Sequence, residues 1–143
     1  GASPSSLAPD AGEEWVLGKI DQLGFTVGSR FVERVGQQRA LAHEQLEVMK
    51  FICKDFWHEL FGKPIDKLQT NHRGVFVLKD SDLRWLSRVS GNEESAYQLR
   101  ARLLRFPCGL IRGALDSLGF TATVTADVEP SGSTAFHVKV ATE

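Results

Sequence analysis

Apolar side chains recur at helical spacing at the start of the chain and predict two short helices. We expect glycine to end each of them, at Gly24 and at Gly36, because glycine is unfavourable inside a helix. The side chain of Asp10 can cap the first helix by accepting a free backbone N–H. The apolar positions of the first helix are Val16, Ile20 and Leu23, and those of the second are Val27, Phe31 and Val35.

A longer helix is predicted from about Leu41 to Phe61, where apolar residues cover nearly half of the circumference. Such a broad arc indicates burial against more than one neighbour. Gly62 and Pro64 then stop the helix. Phe51 is the exception, because the helical wheel places it among charged side chains. The buried face comprises Leu46, Met49, Cys53, Phe56, Trp57 and Leu60.

Two β-hairpins are predicted from residues that alternate between apolar and polar side chains. Residues 73–79 and 83–89 form the first hairpin, and residues 121–128 and 136–140 form the second. The clean alternation in the second indicates a sheet with one wet face and one covered face. Because helices and hairpins follow one another without β-α-β alternation, the sequence predicts an α+β fold. In it, helices pack on one face of a small antiparallel sheet built from two hairpins.

The last helix, from about Glu93 to Leu118, carries the most informative pattern. Pro107 has no backbone N–H, so the helix should bend or restart near it. Gly109 and Gly113 lie four residues apart inside the helix, where each glycine costs about 1 kcal/mol relative to alanine. We therefore expect structural close-packing there, with a backbone or a bulky side chain approaching both glycines.

Length and composition fit a single globular domain. The 143 residues carry a formal net charge of -1, which gives no electrostatic attraction to nucleic acid or to an anionic membrane. No apolar run approaches the roughly 20 residues that span a bilayer. Residues 1–12 are assigned to a flexible N-terminal tail because they are small and rich in proline, and residues 13–143 to the domain.

The two cysteines, Cys53 and Cys108, both lie on apolar helical arcs. This position is typical of buried thiols in a reducing compartment, although the sequence alone leaves a disulfide between them open. We expect both thiols to be unmodified. An added fatty acyl mass, measured on intact protein from a eukaryotic host, would contradict this expectation.

No constellation of catalytic or metal-binding residues is visible in the sequence, and we predict neither an enzyme nor a cofactor. The His-Glu pairs do not form H-E-x-x-H, and phosphate-binding glycine motifs are absent. Asp80 and Asp82 could act as a carboxylate pair, but turn chemistry explains them better. Arg105 and Arg112 could bind phosphate, but a solvated face is favoured, with Asp116 placed to pair with Arg112.

Four stretches, MKFICKDFW (49–57), FGKPIDKL (61–68), TNHRGVFVL (70–78) and CGLIRGAL (108–115), resemble the small-subunit family of the transport protein particle, TRAPP. The resemblance covers residues 15–140 and is closest to the component-six branch. It implies a non-catalytic assembly subunit of the complex that tethers vesicles and exchanges nucleotide on a Rab GTPase. That complex acts in ER-to-Golgi and Golgi traffic.

The resemblance also implies the partners and the location. A component-three-type subunit is the expected partner in a heterodimer, with a homodimer possible for the isolated chain. The expected location is cytoplasmic, at Golgi and ER-derived membranes, with membrane contact only through the complex. No nucleic-acid partner is expected. The component-three branch carries an acylated cysteine before its central helix. Residues 35–47 here contain no cysteine, so acyl binding is not carried over.

Pairing through the early helices, as the family implies, makes the second predicted helix the expected dimer seam. An equally open alternative is that Phe31 simply fills the core. Large aromatic residues that lie off their helices' apolar stripes are further candidates for the interface. The candidate interface residues are Trp15, Val27, Phe31, Val35 and Phe51.

The sequence also leaves a second function open. In this alternative the chain is a small-molecule-binding domain of a related ligand-sensing fold, with a pocket between helices and sheet. The last helix distinguishes the two functions. If its apolar residues fill the interior, no room is left for a ligand. These residues are Leu110, Ile111, Ala114 and Leu115.

Overall fold

The computed structural model describes residues 10–36, 44–83 and 93–141. The helices are α1 (Ala11–Gly36), α2 (Gln45–Phe51), α3 (Trp57–Phe61), α4 (Glu93–Leu103) and α5 (Arg105–Ser117), with a π-helical turn, Ile52–Phe56, between α2 and α3. The strands are β1 (Lys67–Thr70), β2 (Val75–Asp80), β3 (Ala122–Val128) and β4 (Thr134–Val140). Residues 1–9 of the predicted tail lie outside the described ranges, and α1 already begins at Ala11.

The four strands form one antiparallel sheet in the order β1-β2-β4-β3. Its inner face is apolar and packs with the helices in a single core, whose sheet residues include Phe76, Leu78, Phe136 and Val138. The outer face carries the alternate, more polar residues. The predicted α+β class, with helices on one face of a two-hairpin sheet, is confirmed.

The first hairpin joins β1 to β2, and the prediction that residues 73–79 pair with 83–89 was wrong. Both edges of β2 are already occupied, one by β1 and the other by β4. Residues 84–89 lie outside the described ranges. β1 was not predicted because it has only four residues, and three of them, Lys67, Gln69 and Thr70, are polar.

Helix α1 is continuous for 26 residues, so the prediction that Gly24 ends a first short helix was wrong. The cap was predicted correctly, since the N–H of Glu13 donates to Oδ1 of Asp10 at 2.7 Å. The side of α1 that packs inward carries mostly small residues, whereas the predicted stripe of Val16 and Leu23 faces outward. Within residues 11–34 of α1, whose burial the structure describes, the buried residues are Leu17, Gly24, Gly28 and Val32.

Helices α1 and α5 run in the same direction and cross backbone against backbone at four glycines. The contacts are Gly24 on Phe106, Gly28 on Leu110, Gly109 on Asp21 and Gly113 on Phe25. A methyl group on any of the four would overlap a backbone carbonyl oxygen of the facing helix. The cost of glycine in a helix is therefore offset by this close approach, which explains why α1 continues through Gly24.

The central helix is interrupted by the π-helical turn. The carbonyl of Cys53 in this turn accepts the N–H of Ile65 at 2.8 Å, which ties the following loop to the helix. A π turn holds more residues than a normal helical turn, so residues before it are rotated relative to a regular wheel. Phe51 is accordingly half-buried and packs against the core, which corrects its predicted outward projection.

The last predicted helix is interrupted at Leu104, three residues before Pro107, and restarts at Arg105, as the missing N–H of proline led us to expect. Its last residue is Ser117, and it is closed by Gly119, which has a φ of 93°. The N–H of Phe120 donates to the carbonyl of Leu115 at 2.8 Å, the long bond of a Schellman cap. This cap turns the chain directly from α5 into β3.

Candidate functional site

Helix α1 exposes a row of aliphatic side chains outside its contact with α5. Val16, Leu23 and Val27 are 48%, 58% and 37% exposed, and the half-buried Ile20 lies between them. Steps of four, three and four residues keep these side chains on one side of the helix. We call Val16, Ile20, Leu23 and Val27 the α1 stripe. Single exposed apolar side chains are ordinary, but a continuous row is typical of an interaction surface.

Two residues predicted for the interface, Val27 and Phe31, lie in different environments. Val27 lies on the α1 stripe. Phe31, one turn further on, is half-buried, and its ring packs edge-on against Phe56 with centroids 5.7 Å apart. The structure therefore favours a core role for Phe31. The side chain of Val35 lies outside the described part of the structure.

The aromatic candidates lie away from the α1 stripe. Trp15 is 66% exposed and stands on the polar side of α1, where the ammonium of Lys19 lies 5.4 Å from its ring centroid. Phe51 packs against the core, as described above. The structure therefore does not gather the four candidates whose side chains it describes, Trp15, Val27, Phe31 and Phe51, into one surface. The sequence missed Val16, Ile20 and Leu23 because their spacing equally fits a core-facing stripe.

Ion pairs that join α1 to α4 and α5 fix the orientation of the α1 stripe. They are Glu13 with Arg102 (3.1 Å), Glu14 with Arg105 (3.2 Å) and Asp21 with Arg112. The prediction that Asp116 pairs with Arg112 was wrong, since Asp21 of α1 takes that place. The guanidinium of Arg112 also lies 4.9 Å from the ring centroid of Phe25. These arginines bind α1 rather than a free phosphate.

The end of β2 holds a buried carboxylate that the turn pattern concealed. Asp80 is only 1% exposed. It accepts the indole N–H of Trp57 at 2.8 Å and pairs with Lys63 at 3.1 Å. The Lys63 ammonium also donates to Asp66, which receives the backbone and hydroxyl donors of Ser81 as well. The network joins α3, the following loop and β2.

Charge compensation within this network shifts two pKa values. The Lys63 hydrogen bond, followed by those from Ser81, lowers the pKa of Asp66 to about 2. Desolvation acts to lower the pKa of Lys63, but its hydrogen bonds to Asp66 and Asp80 outweigh it, and the pKa is raised. Each group is held in its charged form by the other, which is the behaviour of a structural ion pair.

Both cysteines are buried and free. Burial raises the pKa of Cys53 and of Cys108 to about 12, so both thiols are protonated at neutral pH. In the described ranges, no group of three or more His, Cys, Asp or Glu side chains is arranged to hold a metal ion. A search of those same ranges finds no helix with the length and hydropathy of a membrane span.

The interior residues that distinguish an assembly subunit from a ligand-binding domain are packed. Leu110, Ile111, Ala114 and Leu115 are all buried in the common core. Two open depressions, of about 170 Å³ and 290 Å³, are lined by other residues. The arrangement of α5 therefore favours the assembly subunit over an interior ligand site.

Comparison with known proteins identifies the class to which this fold and surface belong. The family model described as transport protein particle (TRAPP) component matches residues 10–141. The chain is a member of the TRAPP component family. Within that family it belongs to the component-six branch, as the relatives described next establish.

The human trafficking protein particle complex subunit 6B is 41% identical over 122 residues, which cover 85% of this chain and 77% of the relative. The human subunit 6A is 36% identical over 129 residues, covering 90% of this chain and 80% of the relative. The fold also matches a crystal structure of subunit 3 from Naegleria fowleri, covalently bound to palmitic acid. That match has a TM-score of 0.72, with 13% identity, and covers 91% of this chain and 82% of the other. Family membership gives this chain a role in the TRAPP complex and contacts with other TRAPP subunits.

Proposed function

We propose that this chain is a non-catalytic assembly subunit of TRAPP that pairs with a component-three-type subunit through the α1 stripe. The observation that carries the proposal is the row of exposed aliphatic side chains, with Leu23 at 58% exposure in its middle. The surface is rigid, because α1 is fixed to α5 by glycine contacts and ion pairs. A preformed surface binds without the cost of ordering a flexible segment.

The spacing of the α1 stripe also indicates what kind of element covers it. Steps of four and three residues are the repeat of helices that pack side by side with interlocking side chains. The partner element is therefore a helix with its own aliphatic row. Covering the stripe removes apolar surface from water, at about 25 cal/mol per Å². A second copy of this chain offers the same row, so we propose the α1 stripe as the contact of a homodimer of the isolated chain.

Within the complex, we propose that this subunit supports vesicle tethering and Rab nucleotide exchange in ER-to-Golgi and Golgi traffic without supplying catalytic groups. The charged residues considered as candidates for chemistry are engaged in structure: Arg105 and Arg112 hold α1, while Lys63 and Asp80 join α3 to β2. The proposed location is the cytoplasmic face of Golgi and ER-derived membranes, reached through the other subunits. We further propose that the two buried thiols carry no acyl group, which intact-mass measurement tests.

The pairing is tested by Leu23→Glu, which places a charge in the middle of the α1 stripe. We expect this variant to bind the component-three-type subunit at least about thirtyfold more weakly, the loss typical of a central interface residue. The fold should remain, because the side chain of Leu23 is largely exposed. Titration by calorimetry, with circular dichroism to establish folding, measures both quantities.

The matched control is Gln22→Glu, which introduces the same charge at the neighbouring, exposed position on the polar side of α1. We expect the control to bind as the unmodified chain does. Equal affinity for Leu23→Glu and Gln22→Glu would remove the α1 stripe from the interface. Phe31→Glu is a poorer test, because the loss of its contact with Phe56 would destabilise the chain itself.

The assembly role also predicts that this chain alone does not accelerate nucleotide release from a Rab GTPase. The expected rate with the purified chain equals the intrinsic rate, since Lys63, Arg105 and Arg112 are bound within the fold and an assembly subunit supplies no catalytic group. Release of a fluorescent nucleotide measures this. The complete complex serves as the positive control, and acceleration by the chain alone would contradict the proposed role.

A further inference from the structure

The two edges of the sheet differ in how they are protected. β1, at one edge, has only four residues and carries Lys67. A short edge strand and a lysine on it both discourage pairing with a further strand. β3, at the other edge, has seven residues, Ala122–Val128, and contains no lysine, proline or glycine. An unprotected edge of this length is a template for another strand unless something covers it.

The hydrogen-bond phase of β3 shows which residues face outward. At the two ends of the β3–β4 ladder, the N–H of Ala141 donates to Thr121 at 2.7 Å, and the N–H of Glu129 donates to Ser133 at 2.8 Å. Bonded positions alternate in an antiparallel pair, so the odd-numbered residues of β3 bond to β4. The N–H and C=O groups of the even-numbered residues, including Val124 and Ala126, therefore point away from the sheet.

A groove of about 290 Å³ lies along this edge. Three consecutive residues of β3, Val124, Thr125 and Ala126, line it. Successive side chains of a strand point to opposite faces, so a depression touched by all three runs along the strand edge rather than over one face. On the helical side it is walled by the exposed Ala101 and by the ion pair of Asp21 with Arg105, with the buried Leu104 and Cys108 behind them.

We propose that the outer edge of β3 binds an extended segment of a partner protein by strand addition. The segment forms backbone hydrogen bonds with Val124 and Ala126 and passes beside Ala101. Backbone donors and acceptors at strand spacing match another extended backbone, which a lipid cannot supply. A second copy would bring its own Ala101 and the helix that carries it to the same place, so a lone segment fits better than a whole edge. This site is separate from the α1 stripe and independent of the proposed pairing.

Amide hydrogen exchange, resolved by NMR on the full chain, tests the proposal. In the free protein, the amides of Val124 and Ala126 should exchange faster than that of Thr125, which is bonded to β4. The probe is an excess of the acetylated, amidated peptide Thr-Val-Thr-Val-Thr. We expect it to slow exchange at Val124 and Ala126 roughly tenfold, the effect of about one added hydrogen bond.

Ala126→Pro removes an outward N–H without removing a bond to β4, so this variant should fold and lose the protection at Val124. Ala126→Val keeps the backbone groups and should retain it. Unchanged exchange at both amides in the presence of peptide would overturn the proposal. Protection of both amides that is already present without peptide would also overturn it. Protection that grows with the concentration of the chain alone would overturn it too, and would assign the edge to a second copy.

Discussion

Gly113→Leu is expected to unfold the chain or to lower its melting temperature by roughly 10 °C, the largest effect we predict. Overpacking in a well-packed core costs about 1–3 kcal/mol. In a domain of this size each kcal/mol lowers the melting temperature by roughly 2–4 °C. Here the added side chain meets the backbone of Phe25 rather than a movable side chain. Thermal unfolding followed by circular dichroism measures the effect.

Two alanine variants sharpen this test. Gly113→Ala should already destabilise the chain, because a single methyl group overlaps the Phe25 carbonyl. Gly18 also lies inside a helix, α1, but a methyl group there meets nothing within 4 Å, and Gly18→Ala is the control. That control should be stabilising by up to about 1 kcal/mol, since alanine is the better helix former. If Gly113→Ala and Gly18→Ala shift the melting temperature alike, the close crossing of α1 and α5 is wrong.

Asp80→Ala is expected to cost about 2–3 kcal/mol of unfolding free energy, the second largest effect. The substitution leaves the indole N–H of the buried Trp57 without its acceptor, and an unsatisfied buried donor is expensive. Lys63 retains Asp66 as a partner, so its charge remains compensated. Urea denaturation, with the slope compared between variants, gives the loss.

Asp80→Asn separates the hydrogen bond from the charge. Its side-chain oxygen can still accept from Trp57, so we expect a loss of about 1 kcal/mol. A double-mutant cycle with Trp57→Phe isolates the pairwise contribution. Strictly additive losses for Asp80→Ala and Trp57→Phe would mean that the buried bond between them contributes nothing to stability.

Some features of this fold could be predicted because they depend on local pattern. The alternation in β3 and β4 survives in the structure because their register is set by one buried and one wet face. The spacing of Gly109 and Gly113 indicated a close approach because glycine is otherwise unfavourable in a helix. The glycine spacing did not indicate which element packs against it. Gly109 and Gly113 pack on α1, and the sequence gives no sign of which backbone lies opposite.

Other features depend on neighbours that are distant in sequence. Gly24 looks like a helix end until α5 lies against it, because the packing outweighs the helix propensity. Asp80 looks like a turn residue until Trp57 and Lys63, both far earlier in the chain, surround its carboxylate. The candidate interface was hard to predict for the same reason. Val16 and Leu23 have the spacing of a core stripe, and only the glycine face of α1 shows that they face outward.

The glycine crossing also divides α1 into two sides whose residues tolerate substitution to different degrees. On one side, Gly24 and Gly28 contact a backbone, and almost any replacement disturbs the fold. On the other, Leu23 is 58% exposed, so the fold constrains it little, and under the proposed pairing the partner selects its side chain. Duplicated copies of such a chain can therefore diverge in partner preference while their thermal stability stays the same.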